Sequence, residues 1–175
     1  MKTMRMMAVV AAMGAALGGT AVAGDGPQAA MHFYLGCWHG AFAGSATVTD
    51  DRCFAPMLGG QYVRDTHEVR GAPEPYSGET IYYTDAQAQR VAFTYYASDG
   101  GMSRGFADPG QDGLIMFPPG QYVGSDGSTL TMRATWTPDG PNRYVAVAEI
   151  QLPNGQWQEH LRIVYTRAPE LTPPR

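Results

Sequence analysis

Five turn signals recur along the second half of the chain: Asp99-Gly100, Asp112-Gly113, Asp126-Gly127, Asp139-Gly140 and Asn154-Gly155, at intervals of 13, 14, 13 and 15 residues. Asp-Gly and Asn-Gly reach the positive φ of a tight hairpin turn at the least steric cost, so this spacing predicts consecutive antiparallel hairpins. Gly59-Gly60, the Gly71-Ala72-Pro73 break and Thr84-Asp85-Ala86 continue the rhythm backward, at one turn per strand. The segments between turns carry the matching two-residue period. In 129–137, Leu130, Met132, Ala134 and Trp136 alternate with Thr129, Thr131, Arg133, Thr135 and Thr137, the pattern of a half-buried strand. The same reading places strands at 37–42, 46–54, 60–70, 77–83, 90–98, 103–107, 114–117, 129–137, 143–152 and 156–167. Only a short turn within 28–35 has helical character.

About ten strands in meander order leave two open edges unless the sheet closes. The expected fold is therefore all-β, an up-and-down antiparallel barrel of about ten strands; a two-sheet sandwich would need longer crossovers than these turns provide.

The first residues predict export. Lys2 and Arg5 precede an apolar run from Met6 to Leu17, followed by Ala21-Val22-Ala23, the layout of a secretory signal peptide cleaved before Gly24. The apolar run is shorter than the ~20 residues that span a bilayer. The expected organisation is a signal peptide at 1–23, an N-terminal lead at 24–33, a barrel at 34–168 and a C-terminal tail at 169–175. A periplasmic or secreted location follows, with no membrane span after cleavage. In that oxidising setting Cys37 and Cys53, the two cysteines of the chain, are expected to form a disulfide joining the first two strands.

Charge excludes a nucleic-acid partner. Of 12 Lys+Arg two leave with the leader, so ten face 16 Asp+Glu, a net charge of about −6 with no basic face. No metal site is expected, since His32, His39, His67 and His160 show no ligand spacing. No catalytic residue is assigned either. Asp50-Asp51, Asp65, Glu68 and Glu149 form no evident acid/base pair, and no serine sits in a nucleophile elbow.

The opening Tyr34-Leu35-Gly36-Cys37-Trp38-His39-Gly40 carries a Leu-Gly-x-Trp-x-Gly start. With Leu58-Gly59-Gly60-Gln61-Tyr62, Ser98-Asp99-Gly100 and the closing Tyr165-Thr166-Arg167, it resembles the lipocalin-like calycin barrels of bacterial exported proteins. The resemblance runs over most of 34–167 and implies a barrel, with no activity attached. Independently of it, Trp38 is expected to plug one end of the barrel, with Gly36 and Gly40 allowing close approach.

Three readings of function follow. In the first, the barrel binds a small apolar or amphipathic molecule, with His160, Arg162, Tyr83, Tyr95 and Trp136 as ligand-binding candidates. Tyrosine offers flat apolar surface with a hydroxyl handle, and Arg162 a bidentate partner for a carboxylate. In the second, the last strand, His160-Leu161-Arg162-Ile163-Val164-Tyr165, resembles that of the nitrobindins, which implies haem b with His160 on the iron. In the third, the barrel is ligand-free and acts through its surface in an envelope assembly. Alternation puts His160 and Arg162 on one face of that strand, inward or outward.

Overall fold

The computed structural model describes residues 26–173, so the signal-peptide reading of 1–23 lies outside the described residues. The chain forms one antiparallel sheet: β1 (Gly36–Phe42), β2 (Thr49–Met57), β3 (Tyr62–Arg70), β4 (Tyr76–Asp85), β5 (Arg90–Ala97), β6 (Met102–Phe106), β7 (Asp108–Pro109), β8 (Ile115–Val123), β9 (Thr129–Pro138), β10 (Arg143–Gln151) and β11 (Trp157–Arg167). The two-residue β7 continues the course of β6, so the sheet has ten staves. Strands adjacent in sequence pair with one another, except that β6 and β7 both pair with β8, and β1 pairs with β11 to complete the ring. The expected meander barrel is the observed fold.

The turns work as the sequence predicts, with a division of labour inside each dipeptide. Gly100, Gly127, Gly140 and Gly155 have φ between 81° and 84°, while their Asp or Asn partners do not take positive φ. Instead, Asp99, Asp126 and Asn154 accept a hydrogen bond from the backbone N–H two residues on, at 2.8, 2.8 and 3.0 Å. Asp112 differs: it and Gly113 both adopt positive φ, between Gly110 and Leu114, whose backbones bond across the turn.

One strand is longer than expected. β8 continues past Phe117 through Pro118-Pro119 to Val123, and its register with β9 shifts between Phe117 and Gly120. Proline cannot donate to a ladder, which ends the apparent strand in the sequence but is tolerated where the pairing bulges. The β6–β8 seam is joined only at Met102–Val123 and Ser103–Tyr122, and β7–β8 at Asp108–Met116 and Pro109–Ile115, leaving the middle of this seam without ladder pairs.

The lead closes one end. A short helix α1 (Pro27–Ala30) and a 3₁₀ turn (His32–Tyr34) bring Met31 and Tyr34 into full burial beside Trp38. The Tyr34 hydroxyl donates to the carbonyls of Gly113 (2.8 Å) and Trp136 (3.2 Å), and Trp38 Nε1 donates to the Tyr34 carbonyl at 2.6 Å. The Arg167 guanidinium lies 3.8 Å from the Trp38 ring centroid and donates to the carbonyls of Phe33 and Leu35. Trp38 is therefore the plug expected of it, stacked edge-on to Tyr144 at 4.8 Å.

Cys37 and Cys53 stand directly opposite each other on β1 and β2 and are bonded. The bond closes a loop with a separation of 16 residues. In the chain-entropy model a loop of that size contributes about 3 kcal/mol. Replacing both cysteines with serine is expected to lower unfolding free energy by about that amount in urea titrations, with the barrel still formed by circular dichroism.

Candidate ligand-binding cavity

Beyond the plugged end the barrel holds a cavity of about 620 Å³. It exists because several inward positions carry small side chains: Gly105, Gly120, Ala134, Ala146 and Ala148 all line it. Its two sides differ in chemistry. Along β8 to β11 the wall is apolar, built from Phe117, Met132, Ala134, Trp136, Ala146 and Ile163. Along β2 to β5 it is polar, built from Asp50, Arg52, Asp65, His67, Tyr76 and Tyr95.

The polar wall follows from strand alternation. On β3, Val63, Asp65 and His67 share the inward face, and on β2 Asp50, Arg52 and Phe54 do. Asp50 and Asp65 are each only 1% exposed. Arg52 lies between them, its Nε 3.4 Å from Asp50 and 3.6 Å from Asp65, with its guanidinium over the rings of Trp136 (5.3 Å) and Tyr165 (5.6 Å). A hydrogen-bonded chain runs outward from Asp50. Tyr165 donates to Asp50 Oδ2; His67 Nδ1 lies 2.9 Å from Asp50 Oδ1; His67 Nε2 lies 3.0 Å from the Tyr95 hydroxyl; Tyr95 and Tyr76 hydroxyls are 2.8 Å apart. Nearer the mouth, Tyr122 donates to Asp99 at 2.8 Å.

The two buried carboxyls titrate in opposite directions. Burial works to raise Asp50, but the Arg52 charge and the hydrogen bonds from His67 and Tyr165 outweigh it and hold Asp50 below its ordinary value. For Asp65 burial prevails over the Arg52 and His67 charges, and its carboxyl is raised. Burial, reinforced by the bond to Tyr76, pushes the Tyr95 phenol up as well.

The expected ligand residues divide. Tyr95 and Trp136 line the cavity, one on each wall. Tyr83 does not: it lies on the opposite face of β4 from the buried Tyr82, and Tyr82 is the tyrosine of that pair that faces in. Arg162 does not either. It is exposed, and its guanidinium is forked by Glu159 on the outer face at 2.6 and 3.1 Å. His160 parts from Arg162 because β11 bulges there. Ala148 pairs with Leu161 and Glu149 with Glu159, leaving His160 unopposed, exposed and at the cavity rim. His39 is on the outer surface, 2.7 Å from Asp51. Among the described residues no group of three His, Cys, Asp or Glu side chains converges as a metal site would require.

The residues that sequence reasoning passed over are Asp50, Arg52, Asp65 and His67. Their signal was present: Asp65 and His67 share the two-residue period of Val63 and Val69, so a strand with that apolar face had to turn both inward.

A family model described as "Protein of unknown function (DUF1579)" matches residues 33–167. The chain belongs to the DUF1579 family. The matched span takes in Trp38, the polar wall and β11, so these features lie within the family's domain. No curated protein matches the chain. Among solved structures it is similar to "Crystal Structure of Rv2717c from M. tuberculosis", with 15% identity, a TM-score of 0.55, and coverage of 79% of this chain and 97% of that one. At that identity the likeness extends to the fold alone. Among the described residues no helix is long and apolar enough to cross a membrane.

Neutralising the two carboxyls should have unequal effects. Asp50→Asn leaves His67, Tyr165 and Arg52 facing a neutral partner and is expected to cost about 3–5 kcal/mol at pH 7. Asp65→Asn should cost distinctly less, because burial already disfavours that charge. The pH dependence follows the sign of each shift. With its folded value lowered, Asp50 contributes stability that is complete above the unfolded carboxylate range and is lost as pH falls through the folded value. Asp65, raised, does the reverse: stability declines as pH rises from its unfolded to its folded value. Urea unfolding of the three proteins from pH 3 to 7 should show Asp50→Asn with a flatter acid limb than wild type and Asp65→Asn with a steeper one.

Proposed function

We propose that this barrel binds a small amphipathic molecule in its interior, without catalysis, as a lipocalin-like calycin barrel of the cell exterior. The observation that carries the reading is the two-sided cavity of about 620 Å³. A packed structural barrel has no use for inward glycines and alanines opposite a paired polar wall, because unfilled volume and buried charge both cost stability. The volume falls in the range of small-molecule sites, and an apolar lining with a few fixed polar groups is what such sites use for affinity and orientation. Trp136 and Ile163 supply the apolar contact; Tyr95 and Tyr76 supply the polar one. Export to the periplasm or beyond is supported by the leader-like N-terminus and by the Cys37–Cys53 bond, which persists best in an oxidising compartment.

Haem held by His160 is the poorer fit to these walls. His67 has both ring nitrogens engaged, by Asp50 and Tyr95, and His160 stands exposed on its bulge at the rim. Titrating haem into the protein and reading the Soret region separates the two: a band abolished by His160→Ala would favour haem.

Ala148 lines the cavity opposite Ala134, so Ala148→Leu places three more carbons in the open space. Pyrene, an uncharged fluorophore without hydrogen-bonding groups, is expected to bind the wild-type protein and to bind Ala148→Leu about tenfold less tightly. Thermal stability should change little, since the added side chain fills space rather than displacing neighbours. Equal pyrene affinity in the two proteins, or none in either, would overturn the reading.

A further inference from the structure

Within the polar wall Arg52 is matched as a charge but unused as a hydrogen-bond donor. Asp50 and Asp65 both approach its guanidinium most closely at Nε, at 3.4 and 3.6 Å. Neither contact is aligned as a hydrogen bond: Nε is enclosed and has no hydrogen-bond partner among the described residues, and neither has Asp65 Oδ1. Coulomb attraction depends on separation and tolerates such geometry, whereas a hydrogen bond requires direction. The two oxygens of Asp50 are engaged elsewhere, by Tyr165 and His67. The Arg52 side chain keeps 13% exposure and lines the cavity. Since Nε is enclosed, the polar atoms it can present there are Nη1 and Nη2, which make no hydrogen bond among the described residues.

The charges around Arg52 decide what kind of acceptor fits. Asp50 balances the guanidinium, and Asp65 places a second carboxyl beside it. At the mouth Asp99 brings a third, and Arg133 is already forked by Glu149 at 2.7 and 2.9 Å. A ligand carboxylate would give up its hydration to enter a space whose inner cation is already balanced. A carbonyl oxygen accepts the same hydrogen bonds and adds no charge. An apolar partner is close by, since the guanidinium carbon of Arg52 lies 5.3 Å from the Trp136 ring centroid. One small molecule can therefore lie on Trp136 and reach Nη1 or Nη2.

We propose that Arg52 is the polar anchor of the cavity and that the molecule it holds is uncharged, with a carbonyl group on an apolar body. The carbonyl oxygen accepts from Nη1 or Nη2, and the body packs against Trp136 and Ile163. The proposal rests on the ligand-binding reading above and names the polar group of the ligand. It places the anchor at the inner end of the polar wall, deeper than Tyr95 and Tyr76. A hydrogen bond from a charged, partly desolvated donor is among the stronger ones, so the carbonyl contributes to affinity as well as to orientation.

Pyrene, 1-acetylpyrene and pyrene-1-carboxylate share one ring system and differ in the polar group. Fluorescence titration of the purified protein at pH 7 is expected to give 1-acetylpyrene an affinity at least about tenfold tighter than pyrene-1-carboxylate. Arg52→Lys keeps a cation between Asp50 and Asp65, but its ammonium falls short of the Nη positions. In that variant pyrene affinity should stay within about twofold, while the ratio of 1-acetylpyrene to pyrene affinity falls by about tenfold or more. Accepting a hydrogen bond weakens a C=O bond, so in isotope-edited infrared spectra the carbonyl stretch of bound 1-acetylpyrene should lie lower in wild type than in Arg52→Lys. If pyrene binds but the ratio and the stretch are the same in both proteins, Arg52 only balances its carboxylates and the anchor is overturned. If pyrene-1-carboxylate binds as tightly as 1-acetylpyrene or tighter, the uncharged class is overturned. If neither pyrene nor 1-acetylpyrene binds, the ligand-binding reading falls together with this one. Should Arg52→Lys fail to fold by circular dichroism, Tyr76→Phe/Tyr95→Phe, which removes the phenol donors, decides: a stretch as low as in wild type upholds the anchor, and one raised to its value in cyclohexane overturns it.

Discussion

The interior is organised from one contact, where the barrel closes. Gly40 on β1 pairs with Tyr165 on β11, and a Cβ at residue 40 would come within 2.6 Å of the Tyr165 ring. Because glycine is there, the ring lies flat against the first strand, stacked on Tyr144 at 4.5 Å, and its hydroxyl reaches Asp50. Asp50 in turn orients His67, His67 orients Tyr95, and Tyr95 orients Tyr76. The seam that removes the sheet's open edges thus also anchors the polar wall. A larger residue at position 40 would push Tyr165 away from Asp50 and remove one of the two donors that keep that carboxylate ionised.

Burying two carboxyls and a guanidinium is expensive, and the arrangement limits the cost in a way that leaves the cavity open. Arg52 is shared between Asp50 and Asp65 rather than bound tightly by either, and the two rings over its faces add cation–π attraction. Sharing one cation leaves the pair of acids inequivalent: Asp50 takes the additional hydrogen bonds and stays charged, whereas Asp65, with a bond from Thr80, is raised by burial. The net charge placed inside the barrel is correspondingly small. That is why a polar wall can face an apolar one across a space of this size.

Much of this architecture was legible in the sequence, and the failures have specific causes. Turn dipeptides are local, so the Asp-Gly cadence located the hairpins and hence the meander; the cystine followed because directly opposed strands bring Cys37 and Cys53 together. Two-residue alternation identified the Leu130, Met132, Ala134 and Trp136 face that lines the cavity. The same alternation on β3 turns Asp65 and His67 inward with Val63, but their partners Asp50 and Arg52 lie on another strand, so no pair is evident along the sequence. The Asp50–Tyr165 bond spans 115 residues and no local pattern announces it. His160 and Arg162 defeated alternation altogether, because a single unopposed residue resets the faces of β11 and no composition signal marks it. Tyr82 and Tyr83 show the remaining ambiguity: adjacent identical residues must face opposite ways, and only the register of β4 against β3 and β5 decides which is inside.

Stability and binding are assigned to opposite ends of the same barrel. At the closed end Tyr34, Trp38, Phe54, Tyr144 and Tyr165 are almost wholly buried and make edge-on, tilted and stacked ring contacts at 4.5 to 5.9 Å. Each such ring buries a large apolar area, so a few of them replace the core that an open interior lacks. The lead residues Met31 and Tyr34 complete that core from outside the sheet, and Arg167 ties them to the last strand through the carbonyls of Phe33 and Leu35. The cystine then fixes β1 to β2 beside the plug. With the fold secured there, the mouth half can carry glycine and alanine at inward positions, a proline pair in β8 and a seam with few ladder pairs without losing closure. The aromatic plug therefore precedes the cavity causally: weakening the plug would collapse the space before it changed the walls, whereas filling the space at Ala148 would leave the plug intact.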